Sequence, residues 1–322
     1  MTGLPRPGRA AKGGHDRIRG GMRTSTRRAG PALLTAIVLA LASAAAAEPA
    51  RQAVVLRAVE NMYSGASPDK DVVSQALLGQ VVGILESRDG FARIETPDRY
   101  AGWVPTAGLF EYPDAKVPRY AARGTLAEVT SLMANVYRDP DVTTARPKTL
   151  APLGARLEVI KPAVDPQKRW ITVRLPSGEA AYVQSGDVRL LEAGAPPTRG
   201  SEADLVATAR RFSGVPYLWG GMSVHGVDCS GLTSRVYAVN GIDLPRDTDM
   251  QFDDPRARAV ERADLRPGDL VFFGQKKITH VGLYVGEGRF INATTHTRPD
   301  VHEESLDDPY WVALYRGARR PQ

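Results

Sequence analysis

The sequence has 322 residues, 43% of them hydrophobic, and a single cysteine, Cys229. A chain of this length and composition favours two or three domains, each with its own core. Residues 1–30 carry eight lysine or arginine residues and one acid, an excess of +7 whose subtraction from the whole-chain +6 leaves −1. The remainder has no bulk charge that indicates nucleic-acid binding, and no nucleic-acid partner is expected.

Residues 1–47 have the pattern of a secretory signal peptide. The basic segment precedes an uncharged apolar run that ends in Ala45-Ala46-Ala47, and Met22 is an alternative start. A basic start, a short apolar core and small residues at the end are typical of a cleaved signal. The apolar run is shorter than the roughly 20 residues that span a bilayer, although a retained anchor is the alternative. We expect export to the periplasm, envelope or medium, with no membrane span after cleavage.

Residues 52–112 and 125–192 repeat one pattern of short strands. Each copy has a leucine–glycine turn, Leu78-Gly79 or Leu153-Gly154, followed by an alternating strand, an aromatic-led strand and a proline turn. Short strands with turns at this spacing, in units of about 60–70 residues, predict small β-barrels. Such barrels usually bind ligands and carry no chemistry, and simple spacers are the alternative.

Residues 201–318 form a third predicted domain. Ser201 caps a first helix, and Leu232, Val236 and Val239 recur at helical spacing in a second. Strand patterns follow from Leu265 onward, including one over residues 310–315. A helical half followed by an antiparallel sheet predicts an α+β fold.

Cys229 lies at the first turn of the second predicted helix. Unpaired backbone N–H groups and the positive end of the helix dipole favour a thiolate there. A cysteine is more often a small buried hydrophobic residue. In an exported protein, however, a lone cysteine forms no internal disulfide and is exposed to oxidation unless it is buried or used. This favours a nucleophile.

A cysteine nucleophile needs a base and a group that orients the base. His280 begins an apolar strand, and Asn292 lies on the next strand. A three-residue loop over 286–288 would place residue 285 opposite 289 and residue 282 opposite Asn292, so that Asn292 shares the His280 face. A two-residue loop would put them on opposite faces. We expect Asn292 to accept an imidazole N–H and fix the tautomer of His280.

These residues resemble motifs of the NlpC family of cell-wall cysteine peptidases. The resemblance covers residues 201–316 and implies a papain-like fold, with Cys229 as nucleophile, His280 as base and Asn292 in a third position where histidine is commoner. An asparagine there should still accept the imidazole N–H. The motifs are Tyr217-x-Trp-Gly-Gly, Asp228-Cys229-Ser230-Gly231-Leu232, Leu244-Pro245-Arg246, Arg266-Pro267-Gly268-Asp269-Leu270 and His280-Val-Gly-Leu-Tyr.

The two barrels resemble the bacterial SH3-like domains that precede this catalytic domain in γ-D-glutamyl-L-diamino acid endopeptidases. That resemblance implies cleavage of peptidoglycan stem peptides or muropeptides that carry a free N-terminal L-alanine. It also implies that the amino end is bound by side chains of both the catalytic domain and the first barrel: Tyr217, Asp228, Ser230, Tyr100 and Gln75. No cofactor or metal is expected, and a monomer is expected.

Asp228 raises a difficulty, because its negative charge opposes thiolate formation at Cys229. A substrate ammonium paired with Asp228 would relieve this, which would make substrate binding part of nucleophile activation.

Two other functions fit the same chain: an amidase or acyltransferase on the same fold, and an inert wall-binding scaffold. The complete set of cysteine, histidine and asparagine speaks against the scaffold.

Overall fold

The computed structural model describes residues 51–114, 116–162 and 169–322. The predicted signal peptide lies outside these residues. Two β-barrels are followed by a domain of helices and an antiparallel sheet, so the predicted α+β class is confirmed. Among the described residues, every helix is too short or too polar to cross a membrane.

The first barrel is a seven-stranded antiparallel sheet with the strand order β3-β2-β6-β5-β4-β1-β7. Its core contains the fully buried side chains of Ala53, Met62, Ile94 and Val104. In β5 the buried Ala92 and Ile94 alternate with more exposed positions, as the two-residue period of a strand requires. The strands are β1 Arg51–Val55, β2 Val59–Tyr63, β3 Val72–Leu77, β4 Val81–Arg88, β5 Phe91–Glu95, β6 Ala101–Pro105 and β7 Leu109–Glu111.

The second barrel repeats this topology with the order β10-β9-β13-β12-β11-β8-β14, which is the order of the first barrel strand for strand. Its strands are β8 Thr125–Val129, β9 Met133–Tyr137, β10 Pro147–Pro152, β11 Arg156–Lys161, β12 Trp170–Arg174, β13 Ala180–Gln184 and β14 Val188–Glu192. Arg235 of the third domain contacts this barrel. Its buried guanidinium donates a hydrogen bond to the carbonyl oxygen of Leu153. Leu153 itself packs into the core of the third domain.

The third domain contains four α-helices and a six-stranded antiparallel sheet with the order β17-β22-β18-β19-β20-β21. The helices are α1 Glu202–Arg210, α2 Cys229–Val239, α3 Thr248–Phe252 and α4 Pro309–Leu314. The strands are β15 Met222–Ser223, β16 Gly226–Val227, β17 Arg258–Val260, β18 Leu270–Phe273, β19 His280–Gly286, β20 Arg289–Thr294, β21 Asp300–Ser305 and β22 Tyr315–Arg320.

Helix α2 is buried against the sheet over nearly its whole length. It begins at Cys229 because the Asp228 carboxylate caps it, accepting the backbone N–H of Gly231 at 2.6 Å. A side chain at position 231 would collide with the carbonyl oxygen of Gly221, 2.2 Å from where its Cβ would lie. Glycine there lets the glycine-rich loop approach the helix start, which fixes the surroundings of Cys229.

The strand predicted over residues 310–315 is wrong. Those residues lie mainly in α4, which Asp308 caps by accepting from the backbone N–H of Tyr310, and Pro309 occupies the first turn. Proline is favoured there because its missing N–H would have no partner in the helix. The last strand, β22, begins only at Tyr315. The consequence is functional, since α4 carries Trp311 onto the active-site sheet.

The hairpin of β19 and β20 has a two-residue loop, so the predicted three-residue loop and the pairing of 285 with 289 are wrong. Gly286 lies opposite Arg289, and the loop residues Glu287 and Gly288 both have positive φ, at 53° and 70°. A β-bulge then shifts the register by one residue, and Leu283 lies opposite Ile291. The bulge restores the predicted facing of the catalytic positions that the shorter loop alone would have reversed.

Candidate active site

A cleft of about 510 Å³ lies at the start of α2 and contains six of the eight predicted site residues. Asn292 lies behind its wall, hydrogen-bonded to His280. A larger cavity of about 580 Å³ lies between the barrels beside His225 and contains none of the predicted residues. The cleft is lined by Val73, Tyr100, Tyr217, Trp219, Asp228, Cys229, Ser230, Asp247, Thr248, Asp249, Ile278, Thr279 and His280.

The surroundings of Cys229 favour its neutral thiol form. Its side chain is buried, and its Sγ atom lies 3.5 Å from Thr248 Oγ1. Burial raises the pKa of the thiol, and the charge of Asp228 raises it further, against the backbone N–H groups of Val281 and Ser230. Desolvation therefore outweighs the stabilisation of a thiolate that is expected from the helix start alone.

His280 is the neutral base of the site. Its Nε2 lies 2.7 Å from Asn292 Oδ1, and because an amide oxygen only accepts, Nε2 carries the proton and Nδ1 is left basic. Burial lowers the pKa of His280 to about 4, while Asn292 and the charge of Glu304 act in the opposite direction. The ring stacks on Trp311 at 5.0 Å between centroids and also packs against Phe273.

The Asp228 carboxylate is fully occupied by the protein, which the sequence did not reveal. One oxygen accepts from Gly220 N–H at 2.9 Å and from Arg246 Nη2 at 2.7 Å. The other accepts from Gly231 N–H, from Ser230 Oγ and from Arg246 Nη1 at 3.1 Å. Its charge is thus matched before any substrate binds, and a substrate ammonium is not needed to compensate it.

Arg246 connects the nucleophile's helix to the first barrel. Its side chain is 1% exposed and, besides the pair with Asp228, donates through Nε to Ser74 Oγ of β3 at 2.9 Å and through Nη1 to Ser230 Oγ at 2.9 Å. The sequence signal was the Leu244-Pro245-Arg246 motif, which marked the residue without indicating its partner. Ser230 and Asp228 therefore line the cleft and also hold Arg246 in place through hydrogen bonds.

Gln75 lies outside the cleft, contrary to its predicted role as a substrate contact. Its Oε1 accepts the backbone N–H of Met222 at 2.9 Å, and its Nε2 donates to Asn61 Oδ1 at 2.9 Å. The side chain is buried, and both ends of its amide are used. The structure assigns it to the contact between the first barrel and the catalytic domain.

Tyr100 of the first barrel does reach the cleft, where its hydroxyl is hydrogen-bonded to Asp247. Burial and the neighbouring charge of Asp247 raise the pKa of Tyr100 to about 12, so the phenol is a donor. Burial likewise raises the pKa of the half-buried Asp247, while Arg246 and Tyr100 oppose this. Asp247 begins α3 without capping it, and its carboxylate faces the cleft.

Tyr217 lines the cleft between the nucleophile and the first barrel. Burial raises the pKa of its hydroxyl far above the ordinary value, and the charge of Asp228 adds to the effect. The hydroxyl therefore remains a hydrogen-bond donor beside the reacting atoms.

Within the described ranges, no group of three histidine, cysteine, aspartate or glutamate side chains could hold a metal ion.

Residues 214–320 match the model of the NlpC/P60 family, and residues 62–109 match that of the bacterial dipeptidyl-peptidase SH3 domain. The chain is 30% identical over 266 residues to a Gamma-D-glutamyl-L-lysine dipeptidyl-peptidase of Bacillus cereus, covering 77% of this chain and 74% of that protein. It is 42% identical over 112 residues to the Murein DD-endopeptidase MepH of Escherichia coli, covering 33% of this chain and 41% of that protein.

The crystal structure of an NlpC/P60 family protein from Bacillus cereus has the same fold, with a TM-score of 0.72 and 24% sequence identity. The match covers 84% of this chain and 99% of that one. The protein belongs to the NlpC/P60 family, and it is a hydrolase of the peptidase type. The predicted papain-like domain preceded by an SH3-like domain is confirmed.

Proposed function

We propose that this protein is a cysteine endopeptidase that hydrolyses the bond between γ-D-glutamate and the diamino acid in peptidoglycan stem peptides with a free N-terminal L-alanine. The Bacillus cereus relative is named for a γ-D-glutamyl-L-lysine bond, which supports this type of bond. The Escherichia coli relative is named for murein, which supports action on the cell wall. The observation that carries the proposal is the position of Tyr100, which brings the first barrel into the Cys229 cleft beside Asp247.

The direction of the substrate follows from the positions of the catalytic groups. His280 has to protonate the leaving amine of the diamino acid. The diamino acid of the substrate therefore lies on the His280 side of Cys229. The acyl part, L-alanyl-γ-D-glutamate, then extends toward the end of the cleft occupied by Tyr217, Asp228 and Tyr100. Because Val73 and Tyr100 of the first barrel line this cleft, we expect a short acyl part to fit better than one that continues into a glycan strand.

The free amino group of the substrate would be bound at the same end. An ammonium buried there needs acceptors, and Asp247 offers a cleft-facing carboxylate whose partners are Tyr100 and the charge of Arg246. Asp228 is less available because Arg246 and two backbone N–H groups already occupy it. We therefore assign the main ammonium contact to Asp247, with Asp228 and Tyr217 shaping the site.

The proposed reaction is acyl transfer through a thioester. Cys229 gives its proton to His280 Nδ1 as Sγ attacks the γ-carbonyl carbon, and backbone N–H groups at the start of α2, including that of Cys229, stabilise the oxyanion. The imidazolium then protonates the departing amine. His280 next takes a proton from water as the resulting hydroxide attacks the thioester. The C–S bond then breaks, and the imidazolium returns the proton to the departing Cys229 sulfur, so that the thiol and the neutral base are restored as the acid product forms.

The test is to incubate the protein with L-Ala-γ-D-Glu-L-Lys and with the same peptide acetylated at its amino end. We expect L-Ala-D-Glu and lysine from the free peptide, weak or no cleavage of the acetylated one, and none by Cys229→Ala. Release of an intact stem peptide from muropeptides would indicate an amidase instead. An unchanged cellular phenotype in Cys229→Ala would favour the scaffold.

We also propose export to the cell envelope, on the basis of the signal-like residues 1–47 and the single cysteine. A free thiol that is buried and protonated is protected from oxidation outside the cytoplasm. Sequencing the amino terminus of the protein recovered from envelope fractions tests this. A start close to residue 48 is expected, and an uncleaved chain in the cytoplasm would contradict export.

A further inference from the structure

We propose that Glu304 is a positioning residue that fixes the catalytic base His280 through Asn292. The inference rests on the proposed cysteine-peptidase function. It starts from a chain of hydrogen bonds across β19, β20 and β21. His280 Nε2 meets Asn292 Oδ1 at 2.7 Å, and Asn292 Nδ2 donates to Glu304 Oε2 at 3.2 Å. The same Nδ2 donates to the carbonyl oxygen of His302 at 3.2 Å.

An asparagine amide by itself does not define the tautomer of its histidine partner. Turned over, Asn292 would present its NH₂ group to His280 and force Nδ1 to carry the proton, which would remove the base from the cleft. The partners on the far side decide the orientation. The Glu304 carboxylate and the His302 carbonyl can only accept, so the amide nitrogen has to face them and the oxygen has to face His280.

Glu304 is placed in an unusual environment for a carboxylate. Its side chain is 10% exposed, and one of its carboxylate oxygens lies 3.7 Å from His302 Nε2. His302 is itself held by Asp300 through Nδ1 at 2.6 Å and by Thr297. Burying a carboxylate without a lysine or arginine partner costs free energy. A surface ion pair therefore does not explain why a glutamate occupies position 304.

The neighbouring residue shows the ordinary alternative on the same strand. The side chain of Glu303 pairs with Arg210 at 2.8 Å and with Arg289 at 3.3 Å, and both arginine side chains are about half exposed. Successive residues of a strand point to opposite faces, so Glu304 lies on the sheet face that carries Asn292, and Glu303 lies on the opposite face. The two residues form a matched pair, one at the surface and one behind the base.

Glu304 also has an electrostatic effect on turnover. His280 becomes an imidazolium when it takes the Cys229 proton, and the groups whose charges act on it are Asp228 and Glu304. The ring's other close neighbours, Trp311 of α4 and Phe273 of β18, are uncharged. Glu304 transfers no proton: Nε2–H stays on the ring, and the negative charge behind the amide stabilises the imidazolium.

The experiment compares Glu304→Gln, Glu304→Ala and the control Glu303→Gln in the full mature chain, with L-Ala-γ-D-Glu-L-Lys as substrate. For Glu304→Ala we expect kcat to fall about 10- to 100-fold with KM nearly unchanged. Glutamine can still accept from Asn292, so Glu304→Gln should lose less in kcat, while the acid limb of its kcat/KM profile moves to lower pH. Glu303→Gln should match the unmodified protein in both.

A second readout does not depend on substrate. With ¹⁵N-labelled histidine, the His280 ring should show protonated Nε2 and unprotonated Nδ1 in the unmodified protein and in Glu304→Gln. In Glu304→Ala, which loses one of the two acceptors for the amide nitrogen, the tautomer with protonated Nδ1 should become detectable. Unchanged kcat, pH profile and tautomer in both Glu304 variants would overturn the proposal. If the unmodified protein does not cleave the peptide, the proposed function fails, and the tautomer measurement still decides the role of Glu304.

Discussion

Arg246 and Asp228 form a buried ion pair in which two guanidinium nitrogens meet two carboxylate oxygens, at 2.7 and 3.1 Å. The pair reconciles two opposed requirements. Helix α2 needs an acceptor at its start, which Asp228 supplies, yet a negative charge there raises the pKa of Cys229. Arg246 neutralises that charge within the protein. It also donates a hydrogen bond to Ser74, so the same side chain connects the start of α2 to the first barrel.

Replacing Arg246 with methionine should strongly destabilise the catalytic domain. The substitution keeps the volume of the stem but leaves Asp228 buried without its counter-charge, which typically costs about 3–5 kcal/mol. Urea unfolding followed by tryptophan fluorescence would show a lower midpoint. In the double variant Arg246→Met with Asp228→Asn, part of the loss should be recovered, because asparagine still caps the helix and carries no charge.

The control is Arg138→Met in the second barrel. Arg138 pairs with Asp139 at 2.8 Å, but both side chains are more than half exposed, at 77% and 53%. Exposed pairs contribute about 0–1 kcal/mol, so the urea midpoint should barely change. Equal shifts for the two arginine variants would show that burial of the Arg246 pair has no energetic consequence.

The pH dependence should be that of a neutral thiol–imidazole pair. His280 has to be unprotonated to act as a base, so kcat/KM should fall as the pH is lowered toward 4, where its lowered pKa lies. The raised pKa of Cys229 means that little thiolate exists at neutral pH. Alkylation of Cys229 by iodoacetamide in the absence of substrate should therefore keep accelerating as the pH rises through 9.

A thiolate–imidazolium pair would behave differently under the same conditions. Its alkylation rate would already be constant between pH 5 and 8, because the thiolate would be present throughout that range. Observation of such a plateau would contradict the neutral pair. Unfolded protein provides the reference, since its cysteine titrates near the ordinary value of about 8.5.

Asp247→Asn should weaken binding of the substrate's free amino group. The variant retains shape and can still accept one hydrogen bond from Tyr100, but loses the charge that would meet the ammonium. A hydrogen bond to a charged group contributes about 1.5–3 kcal/mol, so KM for L-Ala-γ-D-Glu-L-Lys should rise about 10- to 100-fold. Steady-state kinetics on the free and acetylated peptides measure the selectivity between them.

Asp249→Asn is the matched control, because Asp249 lines the same cleft and is exposed. Its KM should remain within about twofold of the unmodified value, since exposed charges are screened by solvent. If Asp228→Asn reduced selectivity for the free amine and Asp247→Asn did not, the ammonium contact would belong to Asp228.

Local patterns were sufficient to predict the fold class and the candidate nucleophile and base. Cys229 follows a glycine-rich loop and begins a helical repeat, and His280 begins an apolar strand beside Gly282. The residues that support the nucleophile and the base from outside the cleft could not be found in this way. Arg246 and Glu304 act through contacts made by the folded chain, with Ser74 lying 172 residues from Arg246. No periodicity carries information about such pairs.

The helix α4 shows a different limit. Four of residues 310–315 are aromatic or β-branched, which favours a strand by composition, but Asp308 and Pro309 supply a helix start that outweighs it. Capping signals were more informative there than the side chains they precede. The error hid Trp311, which is buried and stacks on His280.

The loop Glu287-Gly288 should set both stability and activity, because the register of His280 and Asn292 depends on it. Positive φ at both loop positions defines the hairpin turn that prefers Asn-Gly, so Glu287→Asn should raise the melting temperature slightly. Gly288→Val places a β-branched residue at φ 70° and should cost about 1–2 kcal/mol, with a loss of kcat if the strands slip. Gly186→Val is the control, since a Cβ there meets nothing within 4 Å and its φ is outside the left-handed range. Equal melting temperatures for the two valine variants would show that the turn does not constrain the hairpin.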